Sequence, residues 1–590
     1  SAEHMYIVTK QIDGVTPDLA VLRDPDGYIY CKEEVGGLVM GGFEPEAKPW
    51  GMDGIPDDFE FQLLPDDWEQ FEILMENAIH RIPALETAEV RQFINGPESF
   101  TPDSHYILGE APELENYYVG AGFNSMGIAS AGGAGKALAE WIVNGEPTMD
   151  LWPVDIRRFA GFQGNEKWLS ERVSETLGTH YTMPWPNKEM STARPFRRSP
   201  VYHLLAQKGA CFGSKMGWER AVWFANADQK PELAYSFGRQ NWFDNRAAEH
   251  QAAREAVAVF DQTSFSKFMV QGRDAEAVLQ RICANNVAVE PGRCVYTGML
   301  NERGGYESDL TVTRLAEDKY FLVSGSAQTT RDLGWLKRNT PDDAYCVVTD
   351  MSSAYAVFGV MGPNARKLLS KITDADLDNA AFAFSTMQEI GVGYATVWAM
   401  RMTYVGELGW ELYVPAEFAV GVYEEICAAG ADLGLRDAGY YAMDSLRIEK
   451  GFRAWGHELT PDYTPFQAGL TFAVDFDKDI PFIGCEALLA IQGKPLTKRL
   501  VQFTLPDTEA ILWGGELILQ DGKPVGKIES GSYGHTLGCS VGLGYVHNED
   551  GVDKSLIEAG GFEIDIAGER YAATAHLRAP YDPNSEKVKV

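Results

Sequence analysis

The sequence lacks most features that would mark a secreted, membrane-spanning or nucleic-acid-binding protein. Its eight cysteines are scattered over 590 residues without a C-x-x-C pair, so it predicts neither a disulfide framework nor a metal site. No apolar run approaches the roughly 18 residues that span a bilayer. Basic residues are scarce, because 51 Lys and Arg stand against 85 Asp and Glu, for a net charge of −34. This balance argues against nucleic acids and anionic membranes as partners, since both attract basic surfaces.

The remaining composition is that of an ordinary globular protein with several domains. Hydrophobic residues make up 45% and aromatic residues 12% of the chain, and 590 residues are too many for one core. The sequence opens on Ser1 without an initiator methionine, and HMYIVTK has a strand pattern almost at once. We therefore expect a fragment of a longer protein.

One stretch, RMTYVGELGWELYV (Arg401 to Val414), combines a strand pattern with an acidic turn. Apolar and polar residues alternate on both sides of two glycines, which predicts two short strands around a turn. Glu407 lies between the glycines. There its carboxylate, beside Tyr404, could accept two N–H bonds from the planar edge of a guanidine-like ring. The alternative is an ordinary solvated turn glutamate.

This stretch resembles the GYTGE-type segment of the glycine-cleavage aminomethyltransferase family, which binds tetrahydrofolate. The resemblance implies that Asp309 lies beside N5 and N10 of tetrahydrofolate as a catalytic acid. It also implies that Tyr404 and Glu407 hold the pterin, and that Arg447 and Arg499 lie near the glutamate tail. Three other segments match the family in the same order: TGMLNERGGYESDLTVTR (Thr297 to Arg314, its N-x-x-G-G-x-x-D-D segment), FGVMGPNAR (Phe358 to Arg366, its Q-G-P turn) and DSLRIEKGFRAWGHEL (Asp444 to Leu459, its D-x-L-R-x-E-x-G segment).

For two of these residues, Asp309 and Arg447, the sequence pattern alone also makes a prediction. Asp309 falls on a predicted half-buried strand, where a carboxylate is costly unless it is paired or functional. The family often has two adjacent acids here, but Ser308 precedes Asp309 in this chain. Arg447 falls on an amphipathic helix and could instead pair with a structural acid such as Glu449 or Asp444.

The first part of the chain alternates strand patterns with turns. It ends in a strand (Tyr117 to Gly122), a glycine-rich turn (GFNSMGIASAGGAG) and a helix (Gly135 to Val143). Such a corner directs backbone N–H groups at an anion or a polarised carbonyl, although tight strand–helix packing is the alternative. Residues 1 to about 160 resemble the C-terminal half of the FAD domain of D-amino-acid-oxidase-like amine oxidoreductases. More narrowly, they resemble dimethylglycine and sarcosine dehydrogenases.

The resemblance implies that GFNSMGI lies against a flavin and that a histidine and a tyrosine lie near the flavin and the amine. From the sequence pattern alone, these two would be a hydrogen-bonded strand histidine and a core aromatic. The G-x-G-x-x-G turn that holds the ADP pyrophosphate in this family has no counterpart in a strand-to-helix context here. We therefore expect another chain or a missing segment to complete the FAD site. The implied residues are His4 and Tyr30 as catalytic residues and Gly122, Asn124, Gly127 and Ile128 as FAD-binding residues.

Together these segments predict an α+β multidomain protein. A partial FAD domain with an antiparallel sheet and a C-terminal helix is followed by a connecting domain. An α+β folate-binding domain and a small β-barrel-like domain complete the chain. The predicted ranges are 1–155, 156–240, 241–490 and 491–590.

The resemblance implies a two-stage oxidoreductase of one-carbon metabolism and of choline and betaine catabolism. FAD would oxidise an N-methyl group of a small amino acid, dimethylglycine or sarcosine, and tetrahydrofolate would capture the carbon as 5,10-methylenetetrahydrofolate. The electron acceptor is not indicated, and the expected location is the bacterial cytoplasm or the mitochondrial matrix. Two alternatives are a folate-dependent aminomethyltransferase without flavin activity and a non-catalytic regulator, since a mitochondrial phosphatase-regulatory subunit shares the architecture.

Overall fold

The fold is given by a computed structural model that describes residues 1–590 and divides into two units, Ser1–Arg194 and Pro195–Val590. The domain boundaries that we predict near residues 155, 240 and 490 stay predictions. None of the helices combines the length and the apolar character needed to cross a bilayer.

The first unit contains seven strands and three α-helices. Its strands are β1 Ala2–Thr9, β2 Leu22–Asp24, β3 Ile29–Glu34, β4 Gly37–Gly42, β5 Val90–Glu98, β6 Ile107–Glu110 and β7 Tyr118–Ala121. Its helices are α1 Trp68–Arg81, α2 Gly127–Asn144 and α3 Glu166–Gly178. The first five strands form one antiparallel sheet in the order β2-β3-β4-β1-β5, which confirms the predicted sheet, and β6 pairs with β7.

Helix α1 covers one face of the five-stranded sheet. Asp67 caps its first turn by accepting from the Gln70 backbone N–H. Phe71, Leu74 and Ala78 are spaced three and four residues apart, so they form one apolar face that packs on the sheet. The helix ends just before a 3₁₀ turn at Pro83–Glu86, because proline cannot continue an α-helix.

Helix α2 begins earlier than the sequence predicts. The glycine-rich stretch up to residue 134 is expected as a turn, with a helix from Gly135, but the helix already begins at Gly127. That prediction is wrong because tertiary packing overrides the weak helix propensity of glycine. Ala134, Ala137 and Trp141 are buried along one side of the helix and anchor it, while Gly132 has open space around it.

The second unit contains twenty strands and nine α-helices. Its strands are β8 Ala210–Lys215, β9 Trp218–Phe224, β10 Val257–Asp261, β11 Ser266–Gln271, β12 Cys294–Leu300, β13 Tyr306–Ala316, β14 Lys319–Ser324, β15 Val347–Asp350, β16 Tyr355–Met361, β17 Met387–Val392, β18 Ala395–Met400, β19 Gly409–Pro415, β20 Leu435–Asp437, β21 Lys498–Leu505, β22 Leu517–Gln520, β23 Lys523–Gly534, β24 Cys539–His547, β25 Phe562–Ile566, β26 Glu569–Ala572 and β27 Thr574–His576. Its helices are α4 Tyr202–Gln207, α5 Phe243–Glu255, α6 Ala275–Ile282, α7 Thr329–Arg338, α8 Ala365–Leu369, α9 Ala419–Gly430, α10 Tyr440–Glu449, α11 Cys485–Ile491 and α12 Lys554–Ala559.

Three sheets organise this unit, beside the β8–β9 hairpin. They have the orders β17-β18-β19-β16-β10-β20, β12-β13-β14-β11-β15 and β26-β25-β22-β23-β24-β21-β27. The first two pack face to face, because side chains such as Phe321 and Met269 of one sheet share a buried cluster with Val357 and Tyr413 of the other. The third sheet encloses its own apolar core and forms the predicted C-terminal β domain.

The hairpin between β12 and β13 follows the sequence prediction. Its turn contains Gly304 and Gly305, and its register places Gly298 opposite Asp309. A Cβ atom on Gly305 would lie 1.9 Å from the Pro461 carbonyl oxygen, so only glycine fits there.

The predicted pair of strands in Arg401 to Val414 is only half correct. β18 ends at Met400 and the next strand begins at Gly409, so Tyr404 and Glu407 lie in a loop. The loop does not continue the sheet, because its polar groups form hydrogen bonds with residues outside the sheet. The Val405 carbonyl accepts from Arg254 at 2.5 Å, and the Tyr404 hydroxyl donates to the Arg453 carbonyl at 2.8 Å.

Candidate functional sites

Asp309 projects from the middle of β13 into a group of phenols. Tyr296 on β12 lies on the same face of the hairpin, and its hydroxyl donates to Asp309 Oδ2 at 2.9 Å. Burial raises the pKa of Asp309 to about 6, against the opposing effect of the Tyr296 hydrogen bond, and the charge of Glu458 raises it further. Asp309 therefore ionises close to neutral pH, with no cation bound to it.

Two further tyrosines border the same carboxyl group. Burial, followed by smaller charge effects that include Asp309, raises the pKa of the half-buried Tyr404 above its usual range. The Tyr306 hydroxyl is fully buried and has no hydrogen-bond partner, and the charge of Asp309 also acts on it. The Tyr306 hydroxyl has no partner and the Asp309 carboxylate has one phenol donor. Both groups can therefore form further hydrogen bonds with a pterin ring.

A pocket of about 380 Å³ is connected to the Asp309 group through Phe472, which lines it. The Tyr296 ring lies 6.3 Å from that of Phe472, which is 72% exposed and lines the pocket. Lys494 and Arg499 line the same pocket. Tyr296 and Phe472 thus link the acid to a pocket that also contains two cations, and this set of groups suits a ligand with a polar ring, an aromatic centre and an anionic tail. The residues present fit tetrahydrofolate.

Glu407 has different neighbours from Asp309. Its side chain is 2% exposed, Arg254 Nη1 donates to it at 3.1 Å, and the Tyr581 hydroxyl is also bound to it. The Arg254 guanidinium in turn lies 3.9 Å from the centre of the Tyr581 ring. The structure therefore brings Tyr404 to the Asp309 group but places the carboxylate of Glu407 in a buried ion pair.

Arg447 lies in a second buried ion pair. Its Nε donates to Asp444 at 2.7 Å, its Nη1 donates to Glu458 at 3.0 Å, and its Nη2 donates to the Ser530 hydroxyl. Of the two structural partners expected from the sequence, Asp444 holds Arg447, whereas Glu449 pairs with Arg254. Arg499 alone of the two expected tail residues lines the pocket.

Glu411 is an acid that the sequence reasoning missed. It lies on β19, is 7% exposed and accepts from the Tyr413 hydroxyl at 2.7 Å. Burial raises its pKa, while hydrogen bonds from Tyr413 and Gln262 act in the opposite direction. Strand alternation places Glu411 on the face opposite to Trp410, Leu412 and Val414, where the sequence pattern predicts exposure. The signal was missing because that face is buried only by the packing of the two sheets.

In the first unit, His4 and Tyr30 lie around one phenylalanine. The ring centres of His4 and Tyr30 lie 4.9 and 6.2 Å from that of Phe43, and His180 stacks on Phe43 at 4.1 Å. His4 Nδ1 is buried without a partner, and its Nε2 lies 3.9 Å from Glu98 Oε2. Sequence reasoning brings His4 and Tyr30 to one place but misses Glu98 and His180.

The turn before α2 reaches the same region. Ser125 donates to Glu98 at 2.6 Å, and the buried Asn124 amide holds the turn by donating to the Gly122 carbonyl and accepting from the Thr101 N–H. Gly122 has φ +65°, and a Cβ there would lie 2.5 Å from a Thr101 methyl group.

The start of α2 is open to an acceptor. The helix begins at Gly127 without a side-chain cap, and Ile128 is fully exposed. Uncapped N–H groups beside an apolar side chain suit the carbonyl edge of a flavin ring. The residues present therefore fit that edge of FAD.

The chain matches four known domain types in succession. Residues 1–141 match the FAD dependent oxidoreductase domain and residues 144–199 match the FAD dependent oxidoreductase central domain. Residues 201–478 match the GCVT N-terminal domain and residues 498–582 match the glycine cleavage T-protein C-terminal barrel domain. These matches confirm FAD and tetrahydrofolate as the predicted cofactors.

Characterised proteins align with nearly the whole chain. It is 43% identical to 4-methylaminobutanoate oxidase (formaldehyde-forming) of Paenarthrobacter nicotinovorans, over 100% of this chain and 70% of that protein. It is 39% identical to the mitochondrial pyruvate dehydrogenase phosphatase regulatory subunit of Mus musculus, over 98% of this chain and 68% of that protein. It is 37% identical to mitochondrial sarcosine dehydrogenase of Homo sapiens, over 99% of this chain and 68% of that protein.

A solved structure supports the second half of the fold. The aminomethyltransferase T of the glycine cleavage system from Bartonella henselae superposes with a TM-score of 0.55 at 25% identity, covering 65% of this chain and 97% of that chain. Since both the domain succession and the full-length relatives agree, the chain belongs to the dimethylglycine and sarcosine dehydrogenase family, in which an FAD-dependent oxidoreductase is joined to a T-protein-like domain.

Proposed function

We propose that this protein carries out oxidative N-demethylation of a small N-methyl amino acid and transfers the one-carbon unit to tetrahydrofolate, giving 5,10-methylenetetrahydrofolate. The observation that carries the proposal is the environment of Asp309. Its carboxyl group has a phenol donor, a pKa of about 6 and no ion pair. The ring of that donor, Tyr296, lies 6.3 Å from Phe472, which lines a pocket that contains two cations. The names of two relatives, an N-methyl amine oxidase and a sarcosine dehydrogenase, support the oxidative stage.

In the one-carbon stage, Asp309 stabilises positive charge and holds the proton released as the folate amine forms its new bond. This role suits a carboxyl group whose pKa is about 6, because both protonation states are accessible near neutral pH. Tyr296 fixes the direction of the carboxylate, and Lys494 and Arg499 hold the anionic tail. Placement of the reacting groups contributes the rest of the rate.

In the oxidative stage, the first unit binds and orients the amine. FAD, when bound, supplies the oxidation by accepting a hydride from the N-methyl group. His4 has a free Nδ1 that can bind the substrate carboxylate or amine, and Glu98 beside it offers a negative charge to an ammonium group. The Tyr30 phenol stays protonated because burial raises its pKa, so it acts as a hydrogen-bond donor.

The substrate is one of a small set of N-methyl amino acids. Dimethylglycine and sarcosine differ by one methyl group, and 4-methylaminobutanoate has a longer spacing between its amine and its carboxylate. A methyl group in an apolar pocket changes affinity by only about 1 to 3 kcal/mol, so a panel of all three is needed. We expect bleaching of the FAD absorption of the loaded protein by at least one of them under anaerobic conditions.

Substitution of Asp309 by Asn tests the coupling of the two stages. We expect the variant to oxidise the amine at the wild-type rate but to release formaldehyde instead of 5,10-methylenetetrahydrofolate, with folate-dependent capture reduced about 10²- to 10⁴-fold. The matched control is Asp318→Asn, an exposed acid in the turn between β13 and β14. An unchanged yield of methylenetetrahydrofolate in Asp309→Asn would refute the role of Asp309.

A second candidate is a non-catalytic regulator, favoured by the 39% identity to a phosphatase regulatory subunit. The visible spectrum distinguishes the candidates. A flavin that is reduced by an N-methyl amino acid supports the enzyme, and saturable folate binding without flavin reduction supports an aminomethyltransferase alone. Absence of both supports the regulator.

A further inference from the structure

A second buried carboxyl group, Asp332 on α7, lies behind the strand that carries Asp309. It is 1% exposed, and the Ser324 hydroxyl donates to its Oδ2 at 2.5 Å, while its Oδ1 is buried without a hydrogen-bond partner. The Ser308 hydroxyl lies beside the Asp332 carboxyl group and acts to lower its pKa. Asp332 therefore touches the residue that immediately precedes Asp309.

Ser308 transmits this contact through the backbone of β13. Successive side chains on a strand point to opposite faces, so Ser308 faces α7 while Asp309 faces the phenols. Gln328 Nε2 donates to the Ser308 hydroxyl at 2.8 Å, which leaves that oxygen in a fully buried network. Any change at Asp332 thus acts on the back of the strand segment that aims Asp309.

Asp332 forms no ion pair, and the one cationic charge that acts on it is that of Arg331. Arg331, its neighbour on α7, is bound to Glu307, and the next charge that acts on Asp332 is that of Asp309. Burial raises the pKa of Asp332 to about 7. The Ser324 and Ser308 hydroxyls and the Arg331 charge act to lower this pKa, whereas the Asp309 charge acts to raise it. Two carboxyl groups that act on each other titrate as a pair, with one ionised before the other.

We propose that Asp332 is a positioning residue for the one-carbon stage: through its contact with Ser308 on the back of β13 it fixes the direction of Asp309. This inference rests on the proposed function, because it assigns Asp332 a part in the step that Asp309 serves. The protonated carboxyl group donates a hydrogen bond to an acceptor in the serine network, and ionisation removes that donor.

The first test is a pair of variants measured in the FAD-loaded full chain. Asp332→Ala removes the contact with Ser308, and we expect kcat for folate-dependent capture to fall about 10- to 100-fold with KM for tetrahydrofolate unchanged. Asp332→Asn keeps the volume and a donor, so it should restore capture and remove the decline of capture at alkaline pH. Amine oxidation should be the same in all three proteins.

The matched control is Glu249→Gln, another fully buried acid. Burial raises the pKa of Glu249 to about 8, and its carboxylate accepts from the Phe224 and Gly439 N–H groups, away from Asp309. It should alter stability without changing the pH profile of capture. A general effect of disturbing buried acids would appear in this variant as well.

The second test needs no activity. Carboxyl ¹³C resonances of labelled aspartate should show two buried groups that titrate near neutral pH, of which Asp332→Asn removes the upper one. Asp309→Asn should shift the Asp332 transition to lower pH, because the negative neighbour is gone. An Asp332 transition that ignores Asp309→Asn, or a loss of kcat that Glu249→Gln reproduces, overturns the inference. A wild-type protein that forms no methylenetetrahydrofolate would instead overturn the proposed function.

Discussion

Asp309 and Glu449 are both acids in the second unit, yet their surroundings give them opposite properties. Glu449 is fully buried and bound by Arg254, His250 and the Thr536 N–H. Although burial acts to raise its pKa, the hydrogen bonds and charges of these partners lower it to about 2. Asp309 has one neutral phenol donor, and burial raises its pKa to about 6. Cationic partners thus make one acid structural, and their absence leaves the other free to react.

The largest effect that this comparison predicts is a loss of stability in Glu449→Gln. The substitution removes one of the two carboxylates that compensate the buried Arg254 and leaves Glu407 as the other, so we expect the free energy of unfolding to fall by about 3 kcal/mol. Asp309→Asn should raise the free energy of unfolding by about 1 to 3 kcal/mol, because burial of the ionised Asp309 carboxylate destabilises the folded state and the substitution removes that carboxylate. Chemical denaturation at pH 7 measures both changes.

Glu417→Gln serves as the control for this pair, because Glu417 is exposed. It should change the free energy of unfolding by less than about 0.5 kcal/mol. Equal losses in Glu449→Gln and Asp309→Asn would show that the cationic partners do not distinguish the two acids.

The comparison also predicts how the second unit responds to acid. The pKa of Glu449 is lowered in the folded state from an ordinary value of 4.5 to about 2. The stabilisation is therefore fully present above pH 4.5 and is lost as the pH falls toward 2. The wild-type protein should lose stability over this range, and Glu449→Gln should lose much less. Thermal unfolding measured at intervals between pH 2 and pH 6 checks this, and parallel curves for the two proteins would contradict it.

Asp309 predicts a pH dependence of catalysis rather than of structure. Its pKa is raised to about 6, so the carboxylate is present above that pH and protonated below it. Folate-dependent capture should fall roughly tenfold per pH unit below 6, while amine oxidation in the first unit follows a different profile. Stopped assays that separate methylenetetrahydrofolate from formaldehyde measure the two products. Identical pH profiles for both would contradict an acid that serves only the one-carbon stage.

The sequence predicted the scaffold of this site better than its partners. Alternation and the paired glycines place Asp309 on a hairpin, and the hairpin is where they place it. The turn pattern puts Glu407 beside Tyr404, and the family resemblance implies that both hold the pterin. Neither could show that Arg254, 153 residues upstream, binds Glu407. Ion pairs between distant segments follow from the tertiary packing of α5 against the loop, which no local pattern contains.

Glycine at the start of α2 shows the same limit from another side. A run with Gly132, Gly133 and Gly135 is typical of a turn, and local propensity is all that a short window provides. The helix continues through it because Ala134 and Trp141 are buried against the rest of the unit. Packing between distant segments determines both the partner of Glu407 and the start of α2, and at α2 it makes the prediction from local propensity wrong.

The smallest expected effect concerns the cationic end of the pocket. Lys494 and Arg499 lie in a solvent-open pocket, where each charge contributes only about 0.2 to 1 kcal/mol, so Lys494→Gln and Arg499→Gln should each weaken tetrahydrofolate binding roughly two- to fivefold. The loss should vanish for tetrahydropteroate, which lacks the glutamate tail, and should shrink at high salt. Titration calorimetry with both ligands measures this. Equal losses for the two ligands would mean that these cations do not bind the glutamate tail. The structural argument for a folate site would then depend on Asp309 and its neighbouring tyrosines alone.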